Sequence, residues 1–194
     1  MDSIEYYNQN SAEFFESTAS VCMDDLYAEF EKHLPESAVV LDAGCGSGRD
    51  SKHFLSKGYN VHAFDASPEM VRLAANHIGS NVQQLRFEDL AAKETYDGIW
   101  CCASLLHVPK FQMQGVLKRL WQAQKLNGIC YVSFKLGEEE RRVNGRFFNN
   151  YTPESLRAEI DHNSWFSIEK MWITKDNRLD WDETWVNAIL VKKR

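Results

Sequence analysis

Val39-Val-Leu-Asp-Ala-Gly-Cys-Gly-Ser-Gly48, continued by Arg49 to Lys57 and then by Asn60-Val-His-Ala-Phe-Asp65, decides the fold. Val39-Val40-Leu41 reads as a buried strand, and Gly44, Gly46 and Gly48 follow it at every second position, so the backbone must pass close to something there. Arg49 to Lys57 has helical periodicity and is stopped by Gly58, a residue that tolerates φ > 0. Asn60 to Phe64 makes a second strand that ends on Asp65. A nicotinamide-binding turn requires GxGxxG, and its third glycine would fall where this chain has Arg49, which weakens the pyrophosphate reading. Asp65 lies 17 residues beyond Gly48, where a carboxylate can accept both hydroxyls of a ribose. An adenosine-containing ligand is implied under either reading.

Outward from this unit the alternation continues. Ser67-Pro68-Glu69 supplies an N-cap, a proline at the first helical position and an acid in the first turn of a helix running to about Asn76. Gln83 to Phe87 and Tyr96 to Ala103 read as the next strands. Pro109 opens a helix with Met113, Val116, Leu117, Leu120 and Trp121 on one face, and Asn127-Gly128 turns into the strand Ile129 to Phe134. Thr152-Pro153-Glu154 starts another helix, to about His162. Trp165 to Thr174 and Trp185 to Val191 close the chain as a strand pair. The expectation is an α/β fold built on a seven-stranded open sheet, mostly parallel with an antiparallel last strand, and with helices on both faces. Asp2 to His33 carries Phe14, Phe15, Leu26, Phe30 and Leu34 at loosely helical spacing; residues 1–37 are expected to be an N-terminal helical lid on a single domain spanning 1–194.

The chain has 194 residues, a net charge of −6 and five cysteines. Cys22, Cys45, Cys101, Cys102 and Cys130 lack CxxC spacing and mostly sit in apolar runs, which argues against a disulfide framework and against zinc. No metal-like His/Asp/Glu grouping surrounds His33, His53, His62, His77 or His162. The acidity is concentrated in residues 1–42, where ten Asp or Glu face only Lys32, so nucleic acid is a disfavoured partner. No apolar run reaches the roughly 18 residues of a membrane helix, and the opening residues are polar and acidic, so the expectation is a cytoplasmic protein, monomer or homodimer, without a membrane partner.

Val39 to Gly48, Phe64-Asp-Ala-Ser-Pro-Glu-Met70, Phe87-Glu-Asp89-Leu and Tyr96-Asp-Gly-Ile resemble the successive motifs of class I S-adenosylmethionine-dependent methyltransferases, densely from about residue 38 to 135. The resemblance implies a Rossmann-like sheet and S-adenosylmethionine as cofactor. It implies that Asp42, Gly44 and Gly46 surround the methionine end, that Asp65 with the following Ala66 holds the ribose, and that Met70 packs on the adenine. It further implies that Asp89 and the Leu90 backbone face the adenine amino group, and that Ala103 offers a carbonyl to the methionine amine. Asp97 is expected to be structural. Gly48-Arg49-Asp50-Ser51 and Phe147-Phe-Asn-Asn-Tyr151-Thr-Pro-Glu resemble a small-molecule branch that includes tellurite-resistance-type enzymes.

Displacement at an activated methyl needs nucleophile and methyl in near-attack geometry more than elaborate catalytic groups. For a hydroxyl or amine acceptor a base assists, and His107, just beyond the fourth strand at the carboxyl edge of the sheet, is the candidate catalytic residue. Arg49 is positioned either to reach the cofactor carboxylate or to face solvent. Cys101-Cys102 reads as packed strand, with neither a proline-cysteine pair nor an evident activating cation. The Asn/Asp-Pro-Pro-aromatic sequence used on exocyclic or amide nitrogens is absent, since the fourth strand runs into Ala103-Ser104-Leu105-Leu106. Tyr6 and Tyr7 are expected to pack within the lid, and Trp165, Trp172, Trp181 and Trp185 to belong to the core. Lys135, Arg141, Arg142 and Arg146 surround Glu138 to Glu140 in what reads as a solvated loop after the fifth strand; its place at the substrate-facing end keeps an anionic acceptor in view. The reading favours a small-molecule acceptor over two alternatives: RNA or protein methylation, and a non-catalytic S-adenosylmethionine-binding module.

Overall fold

A computed structural model describes residues 3–178 and 181–193. Three short helices lead in: α1 (Ser3–Gln9), α2 (Ser11–Thr18) and α3 (Asp24–Glu31). Met1 and Asp2, at the start of the expected lid, lie outside the described residues. The body follows as β1 (Val39–Ala43), α4 (Arg49–Ser56), β2 (Asn60–Asp65), α5 (Pro68–Ile78), β3 (Gln83–Gln84), β4 (Tyr96–Cys101), α6 (Lys110–Ala123), β5 (Gln124–Lys135), β6 (Glu140–Val143), β7 (Arg146–Asn149), α7 (Pro153–Asp161), β8 (Phe166–Lys175) and β9 (Thr184–Lys192).

Seven strands form one sheet in the order β3-β2-β1-β4-β5-β9-β8. The first five are mutually parallel, and β9 runs antiparallel to both β5 and β8. The chain builds outward from β1 through β2 to β3, then crosses to the other side of β1 for β4 and β5. That reversal opens a crevice beyond the carboxyl ends of β1 and β4, the place where open α/β sheets bind ligands.

Alternation along the strands sorts the core into two layers. Leu41, Ala43, Ile99, Cys101, Cys130 and Val132 pack with Met113, Val116, Leu117 and Leu120 of α6 and Leu156 and Ile160 of α7. Val40, Trp100, Ile129, Tyr131 and Ile189 pack with Leu26, Tyr27 and Phe30 of α3 and Phe54 of α4. A 14-residue helix such as α6 is marginal alone, and burial of each large side chain of its stripe, about 1.5–3 kcal/mol apiece, is what holds it. The caps read from sequence are in place: Ser67 Oγ accepts from Met70 N at 3.2 Å, and Thr152 and Ser155 form a capping box on α7.

Several expectations need correction. The strand expected over Gln83 to Phe87 stops at Gln84, and Phe87–Asp89 is a 3₁₀ turn. Asn127-Gly128 does not break the chain before its strand; β5 runs through them, with Asn127 at φ 63° and a register shift against Tyr96 and Gly98. The supposed loop after β5 holds a hairpin of its own, β6 paired antiparallel with β7. Among the lead-in helices α3 is core, so only α1 and α2 are free to act as a cover. Trp165, Trp172 and Trp185 pack against the two core layers, whereas Trp181 is exposed. Among the described residues no helix is long and apolar enough to cross a membrane, and no group of His, Cys, Asp or Glu is arranged to hold a metal ion.

Candidate functional site

The crevice at the β1/β4 switch point opens into a cavity of about 650 Å³. Its floor is the turn after β1. Gly44, Gly46 and Gly48 have φ of 78°, 52° and 75°, a region L side chains rarely adopt. Gly44 is also sterically committed: a Cβ there would lie 2.5 Å from Ser104 Cβ. Ser104 in turn donates through Oγ to the Ala43 carbonyl at 2.7 Å, drawing the ends of β1 and β4 together. Ala103 lines the same crevice with φ 50°, its N–H donating to Ser133 Oγ at 2.8 Å. Phe14 of α2 sits above the turn, its ring 3.3 Å from where a Gly46 Cβ would be.

Asp65 ends β2 and faces the cavity with Ala66, Ser67 and Met70. Its Oδ2 accepts from Gly46 N and its Oδ1 from Ser67 N, both at 2.9 Å. Burial raises its pKa, and these backbone donors work against the rise. Each oxygen keeps a lone pair for a further donor. Asp89 and Leu90 are not part of the wall: Asp89 is exposed and Leu90 is buried in the core. Because β3 ends early, the 3₁₀ turn brings Leu85, Arg86, Phe87 and Glu88 to the cavity in their stead. The apolar-polar alternation of those four residues imitates a strand, and nothing local announces the turn.

Under the glycine turn lies a polar knot that sequence reasoning missed. Asp50 accepts from Tyr27 Oη at 2.5 Å, Arg49 Nε at 2.6 Å, Arg49 Nη2 at 3.0 Å and Trp100 Nε1 at 2.8 Å. Burial disfavours its charge, but the Arg49 guanidinium and these donors outweigh that, and Asp50 is held below the usual carboxylate range. Arg49 therefore does not face solvent; it lines the cavity with Nε and Nη2 engaged by Asp50. Asp42 is likewise displaced from its expected role. It is buried beneath the turn, accepts from Ser51 Oγ at 2.6 Å, and does not line the cavity. Burial, then the neighbouring Asp50, push its carboxyl upward. An acid in a helix's first turn reads as a dipole partner, which hid Asp50. Asp97 is structural as expected, accepting from Val39 N at 2.9 Å and Lys125 Nζ at 2.8 Å. Cys102 lines the cavity, but burial and the Asp50 charge raise its thiol to about 12, so it is no thiolate nucleophile at neutral pH.

The opposite wall joins α1, the turn Leu105–His107 and the β6–β7 hairpin. His107 faces the cavity, but both ring nitrogens are engaged. Nδ1 lies 2.6 Å from the Phe147 carbonyl, which can only accept, so Nδ1 carries the proton. Nε2 then accepts from the Tyr7 hydroxyl at 2.9 Å. Burial, with the charges of Arg146 and Lys135, lowers His107 to about 4 despite the Phe147 contact. The expected general-base role is therefore not supported by this arrangement: the lone pair needed to take a proton is filled, and the ring is weakly basic at neutral pH. Its folded-state pKa lies below the ordinary ~6.5, so the unfolded chain takes up a proton first as pH falls. The ring's contribution to stability is thus present above about 6.5 and is lost as pH falls toward 4. An imidazole NMR titration is expected to show His107 neutral at pH 6; a midpoint near 6.5 would contradict this geometry.

Residues 40–128 match a methyltransferase domain family. The ubiquinone biosynthesis O-methyltransferase of Xanthomonas axonopodis pv. citri (strain 306) is 38% identical over 82 residues, 39% of this chain and 34% of that protein, so the match spans about a third of the relative's length. Among solved structures, Burkholderia thailandensis 1,6-didemethyltoxoflavin-N1-methyltransferase, with bound 1,6-didemethyltoxoflavin and S-adenosylhomocysteine, superposes with a TM-score of 0.79 at 22% identity, covering 98% of this chain and 85% of that one. Magnesium protoporphyrin IX methyltransferase of Synechocystis PCC 6803, with bound S-adenosylhomocysteine, gives 0.75 at 17% identity over 97% of each chain. Residues 40–128 therefore carry the likeness to a methyltransferase domain, and the sheet around them has the fold of these solved methyltransferases.

Proposed function

We propose that the protein transfers a methyl group from S-adenosylmethionine to a small-molecule acceptor by in-line displacement within the β1/β4 crevice. The observation that carries the reading is the pairing of a turn with glycine at every second position, Gly44, Gly46 and Gly48, with the Asp65 carboxylate in the same cavity. A nucleoside with an amino-acid tail fits that pairing. The spare lone pairs of Asp65 suit two ribose hydroxyls, Met70 and Phe87 offer apolar surface to a base, and Gly44, Gly46 and the Ala103 carbonyl suit the tail. When bound, the cofactor supplies a methyl on a positively charged sulfur that takes the electron pair of the broken carbon–sulfur bond.

The chain's own part is placement and exclusion of water. Ser104 and Gly44 fix the crevice width, and α1 and α2, with Phe14 over the glycine turn, act as the lid. A cavity of about 650 Å³ has room for a cofactor with a small ligand. A ubiquinone biosynthesis O-methyltransferase and a 1,6-didemethyltoxoflavin N1-methyltransferase among the similar proteins support a small-molecule acceptor.

Calorimetry with S-adenosylmethionine, S-adenosylhomocysteine and NAD tests the reading, which requires the first two to bind and the third not to. Asp65→Ala should weaken the first two roughly ten- to a hundredfold, the scale of one or two charge-assisted hydrogen bonds. Unchanged affinity would remove Asp65 from the site.

A further inference from the structure

At the end of the cavity away from the glycine turn, Arg146 stands on β7 with its guanidinium between two aromatic rings. Its Cζ is 4.6 Å from the centroid of Tyr6 and 5.2 Å from that of Phe148. It lines the cavity, its Nε is buried with no hydrogen-bond partner, and it forms no ion pair with any described carboxylate. The neighbouring cation behaves differently: Lys135 is paired with Glu183 at 2.7 Å. Glu140, the acid on the same wall, accepts from Lys110 N through Oε1. Arg146 is partly buried, and a cation drawn from water without a counter-charge is costly. Ring faces offset part of that cost and fix the plane of the guanidinium; it also meets the Tyr7 hydroxyl, while Nε keeps its donor unused.

The hairpin is rigidly placed for this task. Phe147, next in the chain, donates its N–H to Ser3 Oγ at 2.9 Å and accepts from His107 at 2.6 Å, so β7 is pinned to α1 on one side and to the turn after β4 on the other. A planar donor fork lining a cavity matches a carboxylate, which can take two parallel N–H···O bonds, better than it matches a single hydroxyl.

We propose that Arg146 is the anion-recognition group of the acceptor site, and that the acceptor is an organic carboxylate seated on its guanidinium. The proposal rests on the methyltransferase reading above and names the class of molecule that reading leaves open. Phe147 and Phe148 beside it favour an aromatic or otherwise apolar body behind the charged group.

The test uses benzoate as probe, its uncharged isostere benzamide as control and inorganic phosphate as the competing anion, each titrated into the whole protein saturated with S-adenosylhomocysteine. Benzoate is expected to bind at least tenfold tighter than benzamide. Arg146→Gln should lose that preference, while Arg146→Lys, which keeps the charge but not the fork, should retain part of it. S-adenosylhomocysteine affinity should be unchanged in both variants, which also reports that they are folded; if the glutamine variant fails to fold, the lysine variant carries the test by a several-fold loss. Equal binding of benzoate and benzamide, no binding of benzoate, or an unchanged preference in Arg146→Gln or, where only it folds, in Arg146→Lys overturns the proposal. Phosphate displacing benzoate at lower concentration overturns the carboxylate assignment in favour of a phosphorylated acceptor. Failure of wild-type protein to bind S-adenosylhomocysteine would instead strike the cofactor reading, so the two failures are separable.

Discussion

Asp50→Ala is expected to cost about 3–5 kcal/mol of folding free energy, the scale measured when one member of a buried ion pair is removed. Asp50 is 5% exposed and accepts four hydrogen bonds, two of them from Arg49. Alanine would leave the Arg49 guanidinium, the Tyr27 hydroxyl and the Trp100 indole N–H without their acceptor, and it is this orphaning more than loss of the pair itself that sets the magnitude. For a chain of 194 residues the loss corresponds to a Tm lower by roughly 6–20 °C. Denaturant unfolding measures it directly. Asp50→Asn, which keeps the shape and part of the acceptor capacity, should lose less, and a cost below about 1 kcal/mol for alanine would mean that water already reaches this knot.

Gly44→Ala is the second large effect. Two terms add: about 1–2 kcal/mol for a Cβ in the left-handed region, and a further 1–3 kcal/mol for overpacking, since the new carbon meets Ser104 Cβ at 2.5 Å. Ser104 cannot rotate out of the way because the clash is with its own Cβ, and its hydroxyl is tied to Ala43. The crevice would widen, and S-adenosylmethionine affinity should fall at least tenfold in calorimetry alongside the lost stability. The terms separate in a double-mutant cycle: in the Ser104→Gly background, which lacks both the collision and the bond to Ala43, Gly44→Ala should cost only the backbone term. An equal cost of Gly44→Ala with and without Ser104 would show that the collision is not what matters.

How much of this was readable beforehand depends on the range of the signal. The glycine turn, Asp65 and the Ser67-Pro68 cap are local features in which adjacent residues dictate a backbone conformation, and all three sit as expected. The open, mostly parallel sheet followed from the alternation of strands with helices, whereas the order of strands across it came from the structure. What failed was whatever depends on partners distant in sequence. Asp89 was expected at the cavity from the family resemblance; β3, paired with β2, ends at Gln84, and the residues after it that line the cavity are Leu85 to Glu88. Asp42 and Asp50 exchange expected prominence because Tyr27 and Trp100, 23 and 50 residues away from Asp50, converge on the latter. His107 was located correctly at the cavity, yet its chemistry is set by Tyr7 and Phe147, 100 and 40 residues away. The charges of residues 138–146 suggested solvent, and only the pairing of β6 with β7 makes a wall of them.

The placement of β9 between β5 and β8 has a consequence for how the molecule comes together. β8 has no sheet neighbour except β9, so it cannot dock before that strand has arrived; the two must join as a unit, against an edge of β5 that stays open until then. Assembly of this half of the sheet is therefore the late, long-range step, while the half built on β1 and β2 closes through neighbours near in sequence. A newly made chain would carry its ligand-binding turn early and its aggregation-prone strand edge until the end.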